Sequence, residues 1–550
     1  MNYLLTYALY ILILSVLMGV STWKLFKKLG YSPLVAFVPF YNYFIVLKET
    51  KHPKWWVVLA YFPIVGTIMM TIFHLFLMKK FGRDSIGQKL LTIVFAFIYM
   101  AVVNYSSDVR IIKDYDEDDR KETVLGSLTY AVVFATLVHT FSFQPFGIPT
   151  GSMERTLLVG DFLFVNKLSY GYRMPMRPLA LPFLQGTIWD TGEKGNPKDD
   201  PKSYVEAVKL PYWRLPGWDN VQRNDIVVFN YPDDSVHVSI DRKDSYVKRA
   251  VAVAGDVLEI KGGKLFINGK PEEVMGDAEM QQSYDVAASS PLDIPSLYKY
   301  LGFLPVVERG QNSKGEYIYY FSGLTSQLVE EIKQVPEVIS VTPKIQEKGV
   351  KDVAHYLNLE ASKREGVYVE SKKINYSSSI FPFNKDWNKD WYGPLRIPKK
   401  GDVITLTQEN LPEYRTLITK YEGNILEYKG GAIYINGEKT DKYTVKQNYY
   451  FMMGDNRDAS LDSRYFGFVP ETHIVGKPMF TWMSIEGFFS NDQSHYQANG
   501  MKLRFDRMFK ATNTGNADKA SYWWLAVILF TLFFGWEYFV KFFKKKKEED

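Results

Sequence analysis

Residues 3 to 20, YLLTYALYILILSVLMGV, hold no charged side chain, and the basic stretch KLFKK follows at 24 to 28. An apolar stretch of that length can cross the hydrocarbon core of a bilayer as a helix. The basic start and the small-residue cleavage site of a secretory leader are both missing, so the segment reads as an anchor. Further apolar runs lie at 56 to 77, 89 to 104, 124 to 144 and 521 to 541. Residues 33 to 47, PLVAFVPFYNYFIVL, are shorter and interrupted by proline, which suits an interfacial or re-entrant piece. For 89 to 104 and 124 to 144, shorter or more polar than the rest, a buried helix of a soluble domain stays an alternative. The chain is therefore expected to hold membrane helices at both ends and a large polar region between them.

The charges at the helix ends orient the chain. The terminal KFFKKKKEED, 541 to 550, places that end in the cytoplasm, so the region from about 146 to 520 lies outside. Counting back through four spans puts DVRIIKDYDEDDRKE, 108 to 122, and the lysines at 24 to 28 inside. One loop disagrees: MKKFGRDSIGQK, 78 to 89, is basic and yet falls outside. The run at 108 to 122 reads as a solvated loop.

Composition removes several classes of function. Among 550 residues, 66 are basic and 61 acidic, and no basic stripe is interleaved with aromatics, so nucleic acid is not an expected partner. The absence of cysteine excludes disulfides, thiolate metal sites and cysteine catalysis. The 7 histidines lack metal-ligand spacing, and no metal or organic cofactor is expected.

The middle region reads as antiparallel β structure. Runs such as DIVVFNY, SYVKRAVAVAG and DVLEIKGGKLFING are punctuated by Gly-Gly and Asn-Gly pairs, which signal hairpins. A repeat lies inside it: GDVLEIKGGKLFINGK, 255 to 270, and GNILEYKGGAIYINGE, 423 to 438, agree at nine of sixteen positions. Shared turn chemistry explains the glycines and asparagines but not Leu-Glu in both copies, nor the similar upstream strands RNDIVVF and KGDVITL. A duplicated β unit is expected, with Thr416 standing where the first copy has Lys248.

Three motifs carry chemistry. FGIPTGSMERTL, 146 to 157, presents Ser152 with no histidine near it in sequence, so a nucleophile there needs another base. In DSYVKRAVAVAGD, the period of two places Lys248 on one strand face with Tyr246, Ala250 and Ala252. Burial there would disfavour the ammonium and free the amine to act as a base, whereas an exposed face would leave an ordinary surface lysine. MMGDNRDASLDSRYFGFVP, 452 to 470, packs aspartates, arginines and serines into a turn-rich loop that an Asp462–Arg464 pair could brace.

In order and content, these motifs with RNDIVVFNYP resemble the boxes of bacterial type I signal peptidases, membrane-anchored Ser/Lys proteases. The resemblance implies a mainly β extracytoplasmic catalytic domain with barrel-like antiparallel sheets, carried by transmembrane α-helices. It makes Ser152 the nucleophile and Lys248 the general base, with an acyl-enzyme intermediate. Ser460 is then the serine bonded to the lysine amine, and Asp462 with Arg464 the pair that braces it. The Thr150 hydroxyl and the Ser152 amide become the oxyanion donors. Ile148, Met153, Leu157, Tyr246 and Val247 become the apolar lining for small substrate residues. Partners implied are signal peptides of exported preproteins and the lipid bilayer, with the secretion machinery as a further one. The location implied is the bacterial plasma (inner) membrane, multi-pass, with the catalytic domain on the periplasmic side.

On this reading the chain divides into a multi-span region, 1–122; a helix leading into the site, 123–145; and a first catalytic part, 146–274. An α/β insertion follows at 275–399, then a second catalytic part, 400–485; a linker, 486–520; a final helix, 521–541; and a tail, 542–550. Arg155 stands where the family usually has proline. Rival readings are a Ser-His-Asp hydrolase using His237, a non-catalytic scaffold, and a Ser/Lys self-cleaving repressor protease.

Overall fold

The computed structural model describes residues 2–107, 109–112, 124–189, 199–273, 278–301, 306–351, 380–489 and 500–512, with Trp524, Val527, Ile528 and Thr531 beyond them. Most of the expected helix at 521–541, the tail, and most of the charged run at 108–122 lie outside these residues. Two compact units result. One comprises 1–143, 171–216 and 236–244; the other comprises 144–170, 217–235 and 245–550. The segments 171–216 and 236–244, expected inside the first catalytic part, thus group with the helices.

The helical unit contains α1 (Tyr3–Lys28), α2 (Tyr41–Glu49), α3 (Val65–Lys80), α4 (Ile86–Tyr105) and α5 (Val124–Phe141). Among the described residues, α1 and α4 are long and apolar enough to cross a membrane. On α1 the buried stripe includes Met18, Thr22 and Leu25, while Leu5, Leu9, Leu12 and Ile13 are bare, a face suited to lipid. Gly19 lets a second segment close on α1, since a Cβ there would lie 2.2 Å from the Phe37 ring. The run at 56–77 is not one helix. Lys54–Tyr61 is a 3-10 turn and α3 starts only at Val65, because Pro63 has no N–H to continue the ladder and Ile64 takes a φ of 69°. The run at 89–104 falls within α4, which Ala96 interrupts with φ 8° and ψ −93°.

The second unit is built on antiparallel strands. Its main sheet contains β1 (Phe143–Gly147), β2 (Asp161–Asn166), β3 (Ile226–Asn230) and β4 (Ser245–Ala252). The strand Ile474–Glu486 lies between β2 and β3, and Tyr449–Met453 lies against β4. β2 alternates as its DFLFVN pattern requires, whereas β3 is buried throughout. Two apolar clusters occupy the two faces of β4, one with Tyr246 and Ala250, the other with Val247.

Downstream come β5 (Val257–Lys261), β6 (Lys264–Ile267) and β7 (Lys270–Pro271), the first copy of the repeat. The second copy, Leu426–Lys429, Ala432–Ile435 and Glu438–Lys439, pairs in the same register: Leu258 with Ile267, and Leu426 with Ile435. Asn268 and Asn436 both take a φ of 52° and accept from the amides of Val257 and Ile425. Upstream, RNDIVVF and KGDVITL both turn into a strand, Ile226–Asn230 and Val403–Thr405, with Asn224 and Gly401 at φ 70° and 89°. The copies part between strand and hairpin, where Lys248 lies on a strand of the main sheet and Thr416 ends a short helix, Leu411–Thr416.

The insertion folds around its own core. β8 (Gln282–Ala288), α6 (Ile294–Leu301), β9 (Val306–Gln311), β10 (Tyr317–Leu324), α7 (Ser326–Lys333) and β11 (Val338–Pro343) form an antiparallel sheet in the order β11-β8-β10-β9. This is a split β-α-β arrangement.

Candidate active site

Ser152 lies in a 3-10 turn, Gly151–Met153, that follows the exposed Thr150. Two bonds from Asn456 hold the turn: its backbone amide donates to the Ser152 carbonyl at 3.1 Å and its side chain to the Gly151 carbonyl at 3.2 Å. Beneath it, Met153 packs with Ile148 and Leu157 in an apolar cluster.

β4 brings Lys248 to the serine. Its side chain is 4% exposed, and Nζ donates to Ser152 Oγ at 2.6 Å and to the Val247 carbonyl at 3.1 Å. Burial pulls the ammonium down to about 8, against the opposing charges of Asp462 and Asp455. The Tyr246 ring centroid lies 5.4 Å from Nζ and favours the charged form.

The loop after Tyr449–Met453 surrounds this pair with charges that are themselves paired. Asp455, fully buried, accepts from Arg249 Nε at 2.8 Å, from Arg249 Nη2 at 2.7 Å and from the Thr156 hydroxyl at 2.7 Å. Burial alone would raise its carboxyl, but Arg249 outweighs it and holds the group below the usual range. Asp462 is held down in the same way by Arg464, which donates through Nε at 2.9 Å and Nη2 at 2.8 Å. Gly454 sits where no side chain fits: a Cβ there would lie 2.3 Å from Ser460 Oγ and 2.4 Å from the Ser152 carbonyl.

The structure brings Ser152, Lys248, Asp462 and Arg464 into one buried region but does not join Ser460 to the lysine. Ser460 Oγ is buried and makes no hydrogen bond of standard geometry, because the amine's two contacts go to Ser152 and its own strand. Ile148, Met153 and Leu157, at 3%, 0% and 1% exposure, form the floor under the turn; of the five expected lining residues only Tyr246 and Val247 are half-buried. Arg155 has a φ of 64°, a left-handed conformation closed to proline. His237, the base of the rival hydrolase, groups with the helical unit, and Lys248 already occupies the partner position at Oγ.

Residues 120–315 and 438–483 match the family described as signal peptidase, peptidase S26. The signal peptidase I of Buchnera aphidicola subsp. Schizaphis graminum is 26% identical over 65% of this chain and 73% of its own length. These matches show a likeness to the bacterial type I signal peptidases. The signal peptidase I of Haemophilus influenzae is likewise 26% identical, over 70% of this chain and 74% of its own length. That of Pseudomonas fluorescens is 34% identical over a shorter stretch, 28% of this chain and 40% of its own. Residues 34–114 match a separate family of unknown function.

Four residues of this candidate site were not singled out in the sequence. Arg249, Asp455, Asn456 and Thr156 fix the Ser152 turn and the charge beside Lys248. The available signal was the Gly-Asp-Asn-Arg run at 454–457 and an arginine directly after the lysine. Glu154 was missed as well. It is buried with Oε1 unpartnered, and burial lifts its carboxyl to about 7 against Arg507 and Arg504.

Proposed function

We propose that this chain cleaves signal peptides from exported preproteins, with Ser152 as the nucleophile and Lys248 as its general base. The observation that carries the proposal is the 2.6 Å contact between Lys248 Nζ and Ser152 Oγ, made by a lysine shut away from water. A buried, neutral amine can take the Oγ proton along that line, and Oγ then attacks the scissile carbonyl carbon. The Thr150 hydroxyl and the Ser152 amide are the donors for the oxyanion. Lysine returns its proton to the leaving amine as the acyl-enzyme forms. Water activated by the same amine then releases the acyl group and restores Ser152.

Asp462 with Arg464 and Asp455 with Arg249 supply fixed, paired charges around the lysine, and Ser460, packed against Gly454, positions the loop. Tyr246 and Val247 meet the residues before the cut, over the floor made by Ile148, Met153 and Leu157. In this reading the chain crosses the inner membrane more than once, and its catalytic part lies on the periplasmic side, where preproteins emerge. The secretion machinery is a further partner of the same reaction.

The experiment is cleavage of a purified preprotein with alanines at the −1 and −3 positions by detergent-solubilised protein. Wild type should cut after the second alanine, while Ser152→Ala and Lys248→Ala should be folded and inactive. Near-full activity in Lys248→Ala would place the base elsewhere.

A further inference from the structure

The basic loop at 78–89 conflicted with the orientation of the chain, and the helical unit contains the means to resolve it. Two stretches carry the same turn. Val38-Pro39-Phe40 follows the 3-10 turn Pro33–Phe37 and precedes α2, and Phe62-Pro63-Ile64 follows the 3-10 turn Lys54–Tyr61 and precedes α3. In each, the residue after proline has a positive φ, 61° at Phe40 and 69° at Ile64. The next amide donates to the proline carbonyl, Tyr41 to Pro39 at 2.7 Å and Val65 to Pro63 at 2.8 Å. The amide after that donates to the residue preceding proline, Asn42 to Val38 at 3.0 Å and Gly66 to Phe62 at 2.7 Å. These are γ-turns of the rare positive-φ kind.

Both turned segments begin and end at one end of the unit. In the first, the Tyr31 hydroxyl donates to Glu49 at 2.6 Å, so the start of the segment meets its finish. In the second, the His52 ring stacks on Phe76 at 3.8 Å. The last turn of α1 lies at the same end, with Lys28 Nζ donating to the Val109 carbonyl at 3.4 Å and Trp23 beside Tyr105. So does the end of α3, whose Lys80 carbonyl accepts from the Ile112 amide at 3.0 Å. Lys27, Lys28, Lys48, Lys79 and Lys80 occupy the last turns of α1, α2 and α3. The turn at Pro63 points the other way, toward the start of α1 and the finish of α5. There Tyr7 donates to the Tyr61 carbonyl at 2.7 Å and Phe62 meets Phe141 at 5.3 Å.

Length agrees. At 9 residues α2 rises about 14 Å, and at 16 residues α3 rises about 24 Å, both short of a hydrocarbon core of about 30 Å. Irregular backbone at that depth survives only where protein covers it, and Tyr61 does so, its hydroxyl accepting from the Phe40 amide at 2.7 Å.

We propose that residues 31–80 form two re-entrant hairpins that both enter and leave the bilayer at its cytoplasmic face, where their lysines meet the anionic inner leaflet. This rests on the orientation given under the proposed function, and it places 78–89 inside with the other basic ends. α4 must then also return to that face, and its break at Ala96 (φ 8°, ψ −93°) and the contact of its last residue, Tyr105, with Trp23 at the end of α1 agree with this. The chain has no cysteine, so single-cysteine variants report sidedness without further engineering. Lys27→Cys, Lys54→Cys and Asp84→Cys mark the end of α1, the joint between the hairpins and the loop after the second; Lys439→Cys marks the catalytic surface. Each variant, first shown to cleave preprotein, is treated in intact spheroplasts with a membrane-impermeant maleimide. The expected result is labelling of Lys439→Cys, with the other three protected until the membrane is permeabilised. Labelling of Lys54→Cys or Asp84→Cys on the side opposite to Lys27→Cys would overturn the hairpins. Protection of Lys439→Cys would instead overturn the orientation, and the hairpins would still stand if the other three shared one side.

Discussion

Lowering the pH should switch this peptidase off by protonating Lys248, and the structure sets where. Burial brings the amine to about 8, with Asp462 and Asp455 opposing that fall. A single base titrating there is about 90% neutral at pH 9, about 10% at pH 7 and about 1% at pH 6, so kcat/KM should drop about tenfold per unit below pH 8. Glu154 lies in the same turn and titrates at about 7, so it could add a second limb. The assay is therefore kcat/KM for a fluorogenic signal-sequence peptide from pH 6 to 9.5, for wild type and Glu154→Gln. The limb at about 8 should persist in Glu154→Gln. A third protein, Asp462→Asn, removes a carboxylate that favours the ammonium and leaves Arg464 without its partner. Both changes push the amine down, so its limb should move toward acid. A profile flat between pH 6 and 8, or a limb that moves toward alkali in Asp462→Asn, would refute the assignment of Lys248 as the base.

Three further outcomes follow from the geometry. Because Arg155 sits at a φ of 64°, Arg155→Gly should raise the thermal midpoint by the equivalent of up to about 1 kcal/mol, while Arg155→Pro should lower it and abolish cleavage; differential scanning fluorimetry with a cleavage assay reads both. Arg249→Leu leaves the fully buried Asp455 unpaired and should cost about 3–5 kcal/mol in a urea titration, against a smaller loss for the double change Arg249→Leu with Asp455→Leu. Burial brings Lys248 to about 8 in the folded chain, against its ordinary value of 10.5 when unfolded, so the folded state binds fewer protons between those values and its stability rises with pH across that window. Lys248→Met should remove that rise, and its gain in urea midpoint should be larger at pH 7 than at pH 10.5.

The sequence by itself determined the class of the fold and named the residues of the candidate site. Ser152 beside an apolar run, Lys248 on an alternating strand and the Gly-Asp-Asn-Arg loop are local patterns, and local patterns survive in a linear string. The hairpin repeat was legible for the same reason: Asn268 and Asn436 act within their own turns. What the tertiary structure decided depended on partners far apart in the chain. Whether Lys248 is a surface lysine or a base depends on its burial beside Ser152, 96 residues away, and Asp455 finds Arg249 across 206. The same holds for Ser460, whose position in the motif said nothing of whether its hydroxyl would reach the amine. In the membrane unit, hydropathy counted 56–77 as one span, since it sums side-chain transfer and is blind to a missing N–H at Pro63. Where that broken segment turns back was settled by contacts such as His52 on Phe76, which arise only once the chain has folded.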